Sequence, residues 1–368
     1  MDYITIQRTA GWSSYKEYSR WDEVVKLLGL PVIELDNIKD WDKTLALVKG
    51  ARVHLGIDSV FNHAAAAYKT PAVILFGSTD PIGSGHSTAI NIRNSPCTKP
   101  CFIEDRYSNG WRCADKCPHD PKCIDTIDPQ MIADAVKKFM APCPICKSAA
   151  RPTAVTKFNG PYYECPDCKV WRQIKDLPKT CLSSGEPPAE YMSEPDKNAN
   201  REIAAYISPK FTVSGPHLSI GSKYPMLAHW LQERHGRKCV AIDMIPEVVK
   251  LGAELGVEAY QCDAEQGIPG GPYASMDMVH VLEHIYNPIE TLNKFADAMV
   301  PGGVLFIRSP NYDAAGIERD YVAHLYEIHP YIYGEASFKR LIEMVPKFKL
   351  LSCHGWAPGQ MDCFLEKV

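Results

Sequence analysis

Apolar positions along the first 140 residues fall into short runs of strand length separated by stretches with a helical period. Tyr3–Gln7, Pro31–Leu35, Val53–Ile57 and Ala72–Phe76 read as strands, and Trp21–Leu30, Asp40–Val48, Asn62–Tyr68 and Asp128–Met140 as helices. Alternation of this kind implies a parallel sheet with helices on both faces. A second set of runs fills residues 211–368: His217–Gly221, Lys238–Asp243, Val257–Asp263, Met276–Leu282, Gly303–Ser309, Lys349–His354 and Asp362–Val368. Helical patterns at Pro225–His235, Pro246–Leu255 and Pro288–Met299 separate the earlier ones, each opened by a proline, which suits the first turn of a helix. Five β/α units followed by two closing strands with no long helix between them predict an α/β domain with a seven-stranded sheet ending in an antiparallel hairpin.

Between the two patterns the chemistry changes. Cys143-Pro-Ile-Cys146 and Cys165-Pro-Asp-Cys168 stand 18 residues apart. Each Cys-x-x-Cys turn points two thiolates at one centre, and two such knuckles complete the tetrahedral sulfur cage of a structural Zn²⁺ site, a zinc ribbon. Thr153–Glu164 offers two short strands around Asn159-Gly160, a hairpin turn signal. After Cys168 the composition turns to Pro, Ser, Lys and Glu, as in Leu182–Pro188, which is that of a linker, with Glu190–Met192 placed to dock a helix onto the next domain. The expected organisation is therefore an N-terminal domain over 1–140, the ribbon over 141–175, a linker over 176–210 and a C-terminal domain over 211–368.

The 368 residues exceed one ordinary core, and 45% hydrophobic with 23% charged residues is a globular composition. A net charge of −4 gives no electrostatic footprint for nucleic acid. No apolar run approaches the roughly 18 residues of a membrane helix, and the N-terminus lacks a basic-then-apolar signal layout, so a cytoplasmic protein is expected. In that compartment the 14 cysteines are read as reduced thiols and metal ligands. A Pro-rich loop carries Cys97, Cys101, Cys113, Cys117 and Cys123 beside His119, either a second metal group or reduced, partly buried thiols. Small molecules or carbohydrate are the expected partners.

Gly56-Ile-Asp-Ser-Val-Phe-Asn-His63, followed by Thr70-Pro-Ala-Val-Ile-Leu-Phe-Gly-Ser-Thr-Asp-Pro81, resembles the donor-binding half of the family-9, heptosyltransferase-like glycosyltransferases, a Rossmann-like half of a GT-B fold. The resemblance implies that Asp58, Ser59 and His63 lie where that family holds the diphosphate of a nucleotide-sugar, with Lys16 near the phosphates and Thr79 in the following loop. Val60 replaces the family's glycine, and the half that carries acceptor site and catalytic base has no counterpart in the chain. The plainer reading makes Asp58 a helix cap, His63 a structural histidine and Lys16 a solvated charge.

The C-terminal strand order, with Val240-Ala-Ile-Asp243, Gln261-Cys-Asp263, Val281-Leu-Glu-His-Ile285 and Val300-Pro-Gly-Gly-Val304, resembles the class I S-adenosylmethionine-dependent methyltransferases. The resemblance implies that Asp243 accepts from ribose hydroxyls, Asp263 from the adenine amino group, and that Glu283 lines the cofactor pocket. The glycine-rich first turn of the family is reduced here to Ser219-Ile-Gly221-Ser-Lys-Tyr-Pro225, keeping Gly221 and offering Lys223 as a partner for the cofactor carboxylate. Candidate bases are His284, beside Glu283, and His324 and His329 in the loop Asp320–Pro330, interleaved with Tyr321, Tyr326, Tyr331 and Tyr333. Each histidine also suits a structural role capping a loop.

The expected function is S-adenosylmethionine-dependent methylation of a sugar in a surface polysaccharide or its nucleotide-linked precursor, with the N-terminal domain as a docking or donor-binding module. Two alternatives stay open: a glycosyltransferase subunit completed by a partner chain, and a non-catalytic scaffold with degenerate ligand sites.

Overall fold

The computed structural model describes residues 2–10, 16–94, 122–155, 162–174, 194–313, 329–356 and 359–368. His324, Tyr321, Tyr326, His119, Cys97, Cys101, Cys113 and Cys117, the Asn159-Gly160 turn and the segments Leu182–Pro188 and Glu190–Met192 lie outside the described residues. The chain divides into two compact units. The first comprises 1–143, 148–166 and 173–175, and the second 144–147, 167–172 and 176–368.

In the first unit, Ile4–Ile6 (β1), Trp21–Leu28 (α1), Val32–Glu34 (β2), Trp41–Gly50 (α2), Val53–Ile57 (β3), Val60–Ala67 (α3), Ala72–Phe76 (β4), Pro81–Ser84 (α4) and Ala89–Arg93 (β5) alternate, and Pro129–Met140 (α5) follows. The sheet order is β2-β1-β3-β4-β5, and every pairing is parallel. Every residue of β3 and β4 is buried. The reason is visible in β4, where Val73 and Leu75 enter the core shared with α1 and α5, while Ala72, Ile74 and Phe76 enter the opposite core with Val48 and Ala65. A period of two sends alternate side chains to both faces, and helices on each face keep water from both. The fifth strand, β5, has no counterpart in the sequence reading.

Two buried polar side chains of this unit, His54 and Tyr163, have defined partners. His54 in β3 is fully buried, with Nδ1 3.1 Å from Thr5 Oγ1. Burial lowers its pKa from the ordinary 6.5 to about 4, so the ring is neutral near pH 7. The ribbon hairpin, Thr153–Ala154 (β6) antiparallel to Tyr162–Glu164 (β7), also belongs here. Tyr163 packs edge-on against Phe139 at 4.9 Å, and its hydroxyl donates to the Thr88 carbonyl.

The second unit takes in Trp171 and Arg172 of the strand Trp171–Gln173 (β8), and Glu194–Ile207 (α6) follows. Then follow His217–Ile220 (β9), Met226–His235 (α7), Cys239–Asp243 (β10), Glu247–Leu255 (α8), Glu258–Gln261 (β11), Tyr273–Val279 (β12), Pro288–Asp297 (α9) and Met299–Pro310 (β13). Tyr331–Ile332 (β14), Glu335–Glu343 (α10), Phe348–Trp356 (β15) and Gln360–Lys367 (β16) complete it. The sheet order is β11-β10-β9-β12-β13-β16-β15, parallel through β13 and antiparallel at β16 and β15. This is the expected seven-stranded α/β sheet with a closing hairpin. Residues 194–207, read from composition as part of a linker, are a helix instead. Ala204 and Ile207 are buried with Leu227, Leu231, Phe306 and Phe364, so burial of a few apolar side chains overrides a polar average.

Two buried polar groups cross-link the strands. His217 at the start of β9 places Nδ1 2.8 Å from Ser275 Oγ and Nε2 2.8 Å from Asp277 Oδ1, both on β12. Arg308 on β13 faces Asp362 on β16 and donates twice, at 2.6 and 2.7 Å. Both partners of that pair are buried. The strand β8 pairs antiparallel with β14, and Trp171 stacks on Tyr312 at 4.1 Å. Among the described residues no helix is long and apolar enough to cross a membrane.

Two outcomes follow from these buried groups. Asp362→Ala leaves a buried, unpaired guanidinium, and denaturant unfolding followed by a probe in the second unit should show a loss of about 3–5 kcal/mol. His54 binds its proton only after unfolding over the interval between about 4 and 6.5. The first unit is therefore fully stabilised above pH 6.5 and loses stability as pH falls, by roughly 2 kcal/mol at pH 5. Denaturation at pH 7 and pH 5 measures the difference, and His54→Gln should abolish it.

Candidate active site

The second unit's strand β9 pairs with β10 on one side and β12 on the other, so the chain leaves it in opposite directions and a crevice opens at the carboxyl ends. The turn after β9 forms one wall. Gly221 has φ +69°, and a Cβ there would stand 2.3 Å from Cγ2 of Val281. The single glycine kept in this turn is thus required twice, by its left-handed backbone and by the close approach of a stiff β-branched neighbour.

Asp243 ties that turn to the end of β10. Its Oδ2 accepts from the Lys223 amide at 2.6 Å and its Oδ1 from the Ile245 amide at 3.0 Å. Burial pushes its carboxyl pKa up against those amide hydrogen bonds, and burial prevails. A third backbone hydrogen bond, from the Met244 amide, also reaches this carboxylate, and of its roughly four acceptor positions about one is left for a ligand hydroxyl. The Cys262 amide donates to the Asp243 carbonyl at 2.7 Å, which brings Asp263 to the same edge. Asp263 accepts from the Glu265 amide and from Gln266 Nε2, each at 3.0 Å. These residues fit a nucleoside ligand by donor and acceptor type.

Beyond β12 the chain makes a short turn, Leu282–His284, that carries Glu283 and His284. Glu283 is 1% exposed. Its Oε2 accepts from Ser309 Oγ at 3.1 Å, and its Oε1 lies 3.3 Å from His280 Nδ1. Burial raises its pKa, but the His280 hydrogen bond and the charges of His280, His284 and His329 outweigh it and hold the carboxyl below the usual range. His329, two residues before β14, is buried, with its ring centre 4.4 Å from that of His284 at 69°. Burial lowers the His329 pKa to about 4, with Glu283 opposing, so it is a neutral imidazole at pH 7. One donor atom from each of Glu283, His284 and His329 lies within 4.8 Å of the others. The structure thus joins Glu283 to two of the three histidines named from sequence. His280 and Ser309 were not named. His280 stands three residues before Glu283, a spacing that signals contact, whereas Ser309 reaches it only through the pairing of β12 with β13.

In the first unit, Ser59 caps α3 by accepting from the Phe61 amide at 3.3 Å and also bonds Gln7. Lys16 Nζ lies 2.9 Å from Asp58 Oδ2. His63 Nδ1 is 2.8 Å from His86 Nε2, a partner that sequence reasoning missed. Thr79 is buried, and its hydroxyl has no hydrogen-bond partner among the described residues. Val60, in the glycine position of the motif, is 48% exposed at the first turn of α3.

The four ribbon sulfurs, of Cys143, Cys146, Cys165 and Cys168, lie within 4.8 Å of one another. The knuckles share a backbone feature: Lys147 and Lys169, each directly after its second cysteine, have φ +58° and +62°. Repetition of that left-handed step turns both thiol pairs inward, as a tetrahedral sulfur site needs. The described member of the other cysteine group, Cys123, is buried. A cavity lined by Pro216, Arg237, Lys238, Tyr260 and Tyr273 opens at the amino ends of β9, β10 and β11, away from the carboxyl-end crevice.

Two separate parts of the chain match known protein families. Residues 191–345 match the model of a methyltransferase domain, and residues 39–108 match that of glycosyltransferase family 9 (heptosyltransferase). The ubiquinone biosynthesis O-methyltransferase of Xylella fastidiosa (strain M23) is 30% identical over 149 residues, covering 37% of this chain and 59% of the relative. The protein of the same name from Xanthomonas oryzae pv. oryzae (strain PXO99A) is 27% identical over 134 residues, covering 33% and 56%. This chain thus spans less than two thirds of the length of the curated relatives it matches. Among solved structures, the mitomycin 7-O-methyltransferase MmcR has a TM-score of 0.42 and 18% identity, covering 52% of this chain and 60% of its own. Two different family models thus match separate parts of this one chain, residues 191–345 and residues 39–108.

Proposed function

We propose that the protein transfers a methyl group from S-adenosylmethionine to a hydroxyl oxygen of a sugar, in the cytoplasm, on a precursor of a surface polysaccharide. The observation that carries this reading is the placement of Glu283, His284 and His329 at the same sheet end as Gly221 and Asp243. The O-methyltransferase relatives support oxygen as the acceptor, and the family-9 segment in the same chain supports a sugar.

In this reading Asp243 binds the ribose, Asp263 the adenine edge and Lys223 the carboxylate of the cofactor. When bound, S-adenosylmethionine supplies a methyl carbon activated by its sulfonium. The chain's own work is to position the acceptor and take its proton. His284 is half-buried at the crevice and accepts the proton, and Glu283, fixed by Ser309, stabilises the resulting charge. His329 stays neutral and orients the acceptor. In the first unit, Lys16 exchanges Asp58 for the diphosphate of a nucleotide-linked sugar, with Thr79 as a further donor. The ribbon holds a structural Zn²⁺, and four thiolates leave no open position for chemistry.

Calorimetry should detect binding of S-adenosylhomocysteine, and Gly221→Ala should weaken it about tenfold or more, equivalent to about 1.4 kcal/mol. His284→Ala should keep that affinity but slow methyl transfer by roughly 10² to 10⁴. No binding of S-adenosylhomocysteine at millimolar concentration would leave the non-catalytic scaffold as the better account. For the ribbon, Cys165→Ser should release one equivalent of zinc, read by mass spectrometry of the purified protein.

A further inference from the structure

The side chains around Glu283 have a composition that proton transfer alone does not require. A carboxylate with 1% exposure carries a hydrogen bond from Ser309 and a longer contact with His280, yet two further imidazoles converge on it. A single general base needs one imidazole and one orienting group. Here one carboxylate oxygen and two imidazole nitrogens, all able to act as lone-pair donors, come within 4.8 Å of each other. We propose that Glu283, His284 and His329 bind one divalent transition-metal ion, with zinc the best match, and that this ion activates the acceptor hydroxyl. The role assigned to the ion rests on the methyltransferase reading above; the binding site itself does not.

The donor set selects the class of ion. Magnesium and calcium take oxygen ligands and water, whereas one carboxylate with two imidazoles suits zinc, manganese, iron or cobalt. Zinc bonds of about 2.0–2.1 Å in a tetrahedron place donor atoms about 3.3 Å apart. The three donor atoms lie within 4.8 Å of one another, so binding draws them together by about 1.5 Å or less. Three protein ligands leave a fourth position open, the arrangement of reactive metal sites and the opposite of the closed sulfur cage of the ribbon. The surroundings are those of a supported site. Ser309 and His280 orient the carboxylate from behind, as groups that hydrogen-bond to metal ligands do. His329 is held in place by β14, which is paired to β8.

With the ion in place His284 and His329 are ligands, and the ion takes over the acidification of the acceptor. A hydroxyl oxygen in the open position releases its proton to solvent at a pH well below its ordinary pKa. The oxygen then forms a bond to the methyl carbon while the carbon–sulfur bond of the sulfonium breaks, and the electron pair stays on sulfur. One hydroxyl and one sulfonium become one methyl ether, one neutral thioether and one proton.

The test is metal stoichiometry on the full-length protein, independent of turnover. After equilibration with micromolar zinc and gel filtration, wild type should carry two zinc ions per chain, one of them in the ribbon. Glu283→Gln and His329→Ala should each carry one, and Ser309→Ala should weaken the second site about tenfold or more. Calorimetry with S-adenosylhomocysteine on the same samples reports whether the domain is folded. One zinc in wild type, or two in both ligand variants, overturns the proposal, and the wild-type count decides if the variants fail to fold. One zinc with intact S-adenosylhomocysteine binding removes the ion and leaves the methyltransferase reading standing. Two zincs, falling to one in the variants, without S-adenosylhomocysteine binding supports the site and removes that reading.

Discussion

The pairing of β9 with β10 on one side and β12 on the other is the constraint on which the second unit depends. It places the turns after three strands at one sheet edge, and among the described residues Gly221, Lys223, Asp243, Asp263, Glu283 and His284 lie on or just beyond those strands or the neighbouring β11. The pairing is secured inside by hydrogen bonds from His217 to Ser275 and Asp277, which no apolar side chain can replace without stranding a buried partner. The close fit of Gly221 against Val281 then sets the distance between the first turn and the segment that carries Glu283. One strand alignment thus fixes the groups after β9, β10 and β12 relative to one another.

Buried charge is used differently in the two units. In the second, Glu283 is compensated by neighbours of several kinds, and Arg308 with Asp362 forms a closed two-point pair inside the sheet. The pair has no capacity left for a ligand, so its role is alignment of β13 with β16. In the first unit, buried Asp58 engages the partly exposed Lys16 through one carboxylate oxygen, just before the first turn of α3.

Much of the architecture was legible because strands buried on both faces read as continuous apolar runs. Val53–Ile57 and Ala72–Phe76 have the same bounds in sequence and structure. The strand β5 was missed because Ala89-Ile-Asn-Ile-Arg carries only two buried residues and sits at the sheet edge, where the apolar signal fades. The extent of α6 was missed, though a docking helix was expected near Glu190–Met192, because its sequence is rich in Asp, Lys, Asn, Arg and Glu and composition averages over faces that packing keeps distinct. Within the site, Glu283 and His284 were found from a local motif. His86 and Ser309 were not, because they meet their partners through contacts of 23 and 26 residues' separation, which no local pattern encodes.

The antiparallel pairing of β8 with β14 has a consequence for where the C-terminal domain ends as a physical object. The family match runs over residues 191–345. A protein cut to those limits would lose β15 and β16 from one side of the sheet, leaving Arg308 without Asp362. It would also lose Trp171 and Arg172, the strand partners of Ile332 and Tyr331, and the ring that covers Tyr312. Tyr331 follows His329 by two residues, so the edge exposed by such a cut is the one that holds this histidine in position. The smallest piece that keeps the site intact therefore extends upstream through the second knuckle and downstream to the last strand, well past the limits of the family match at both ends.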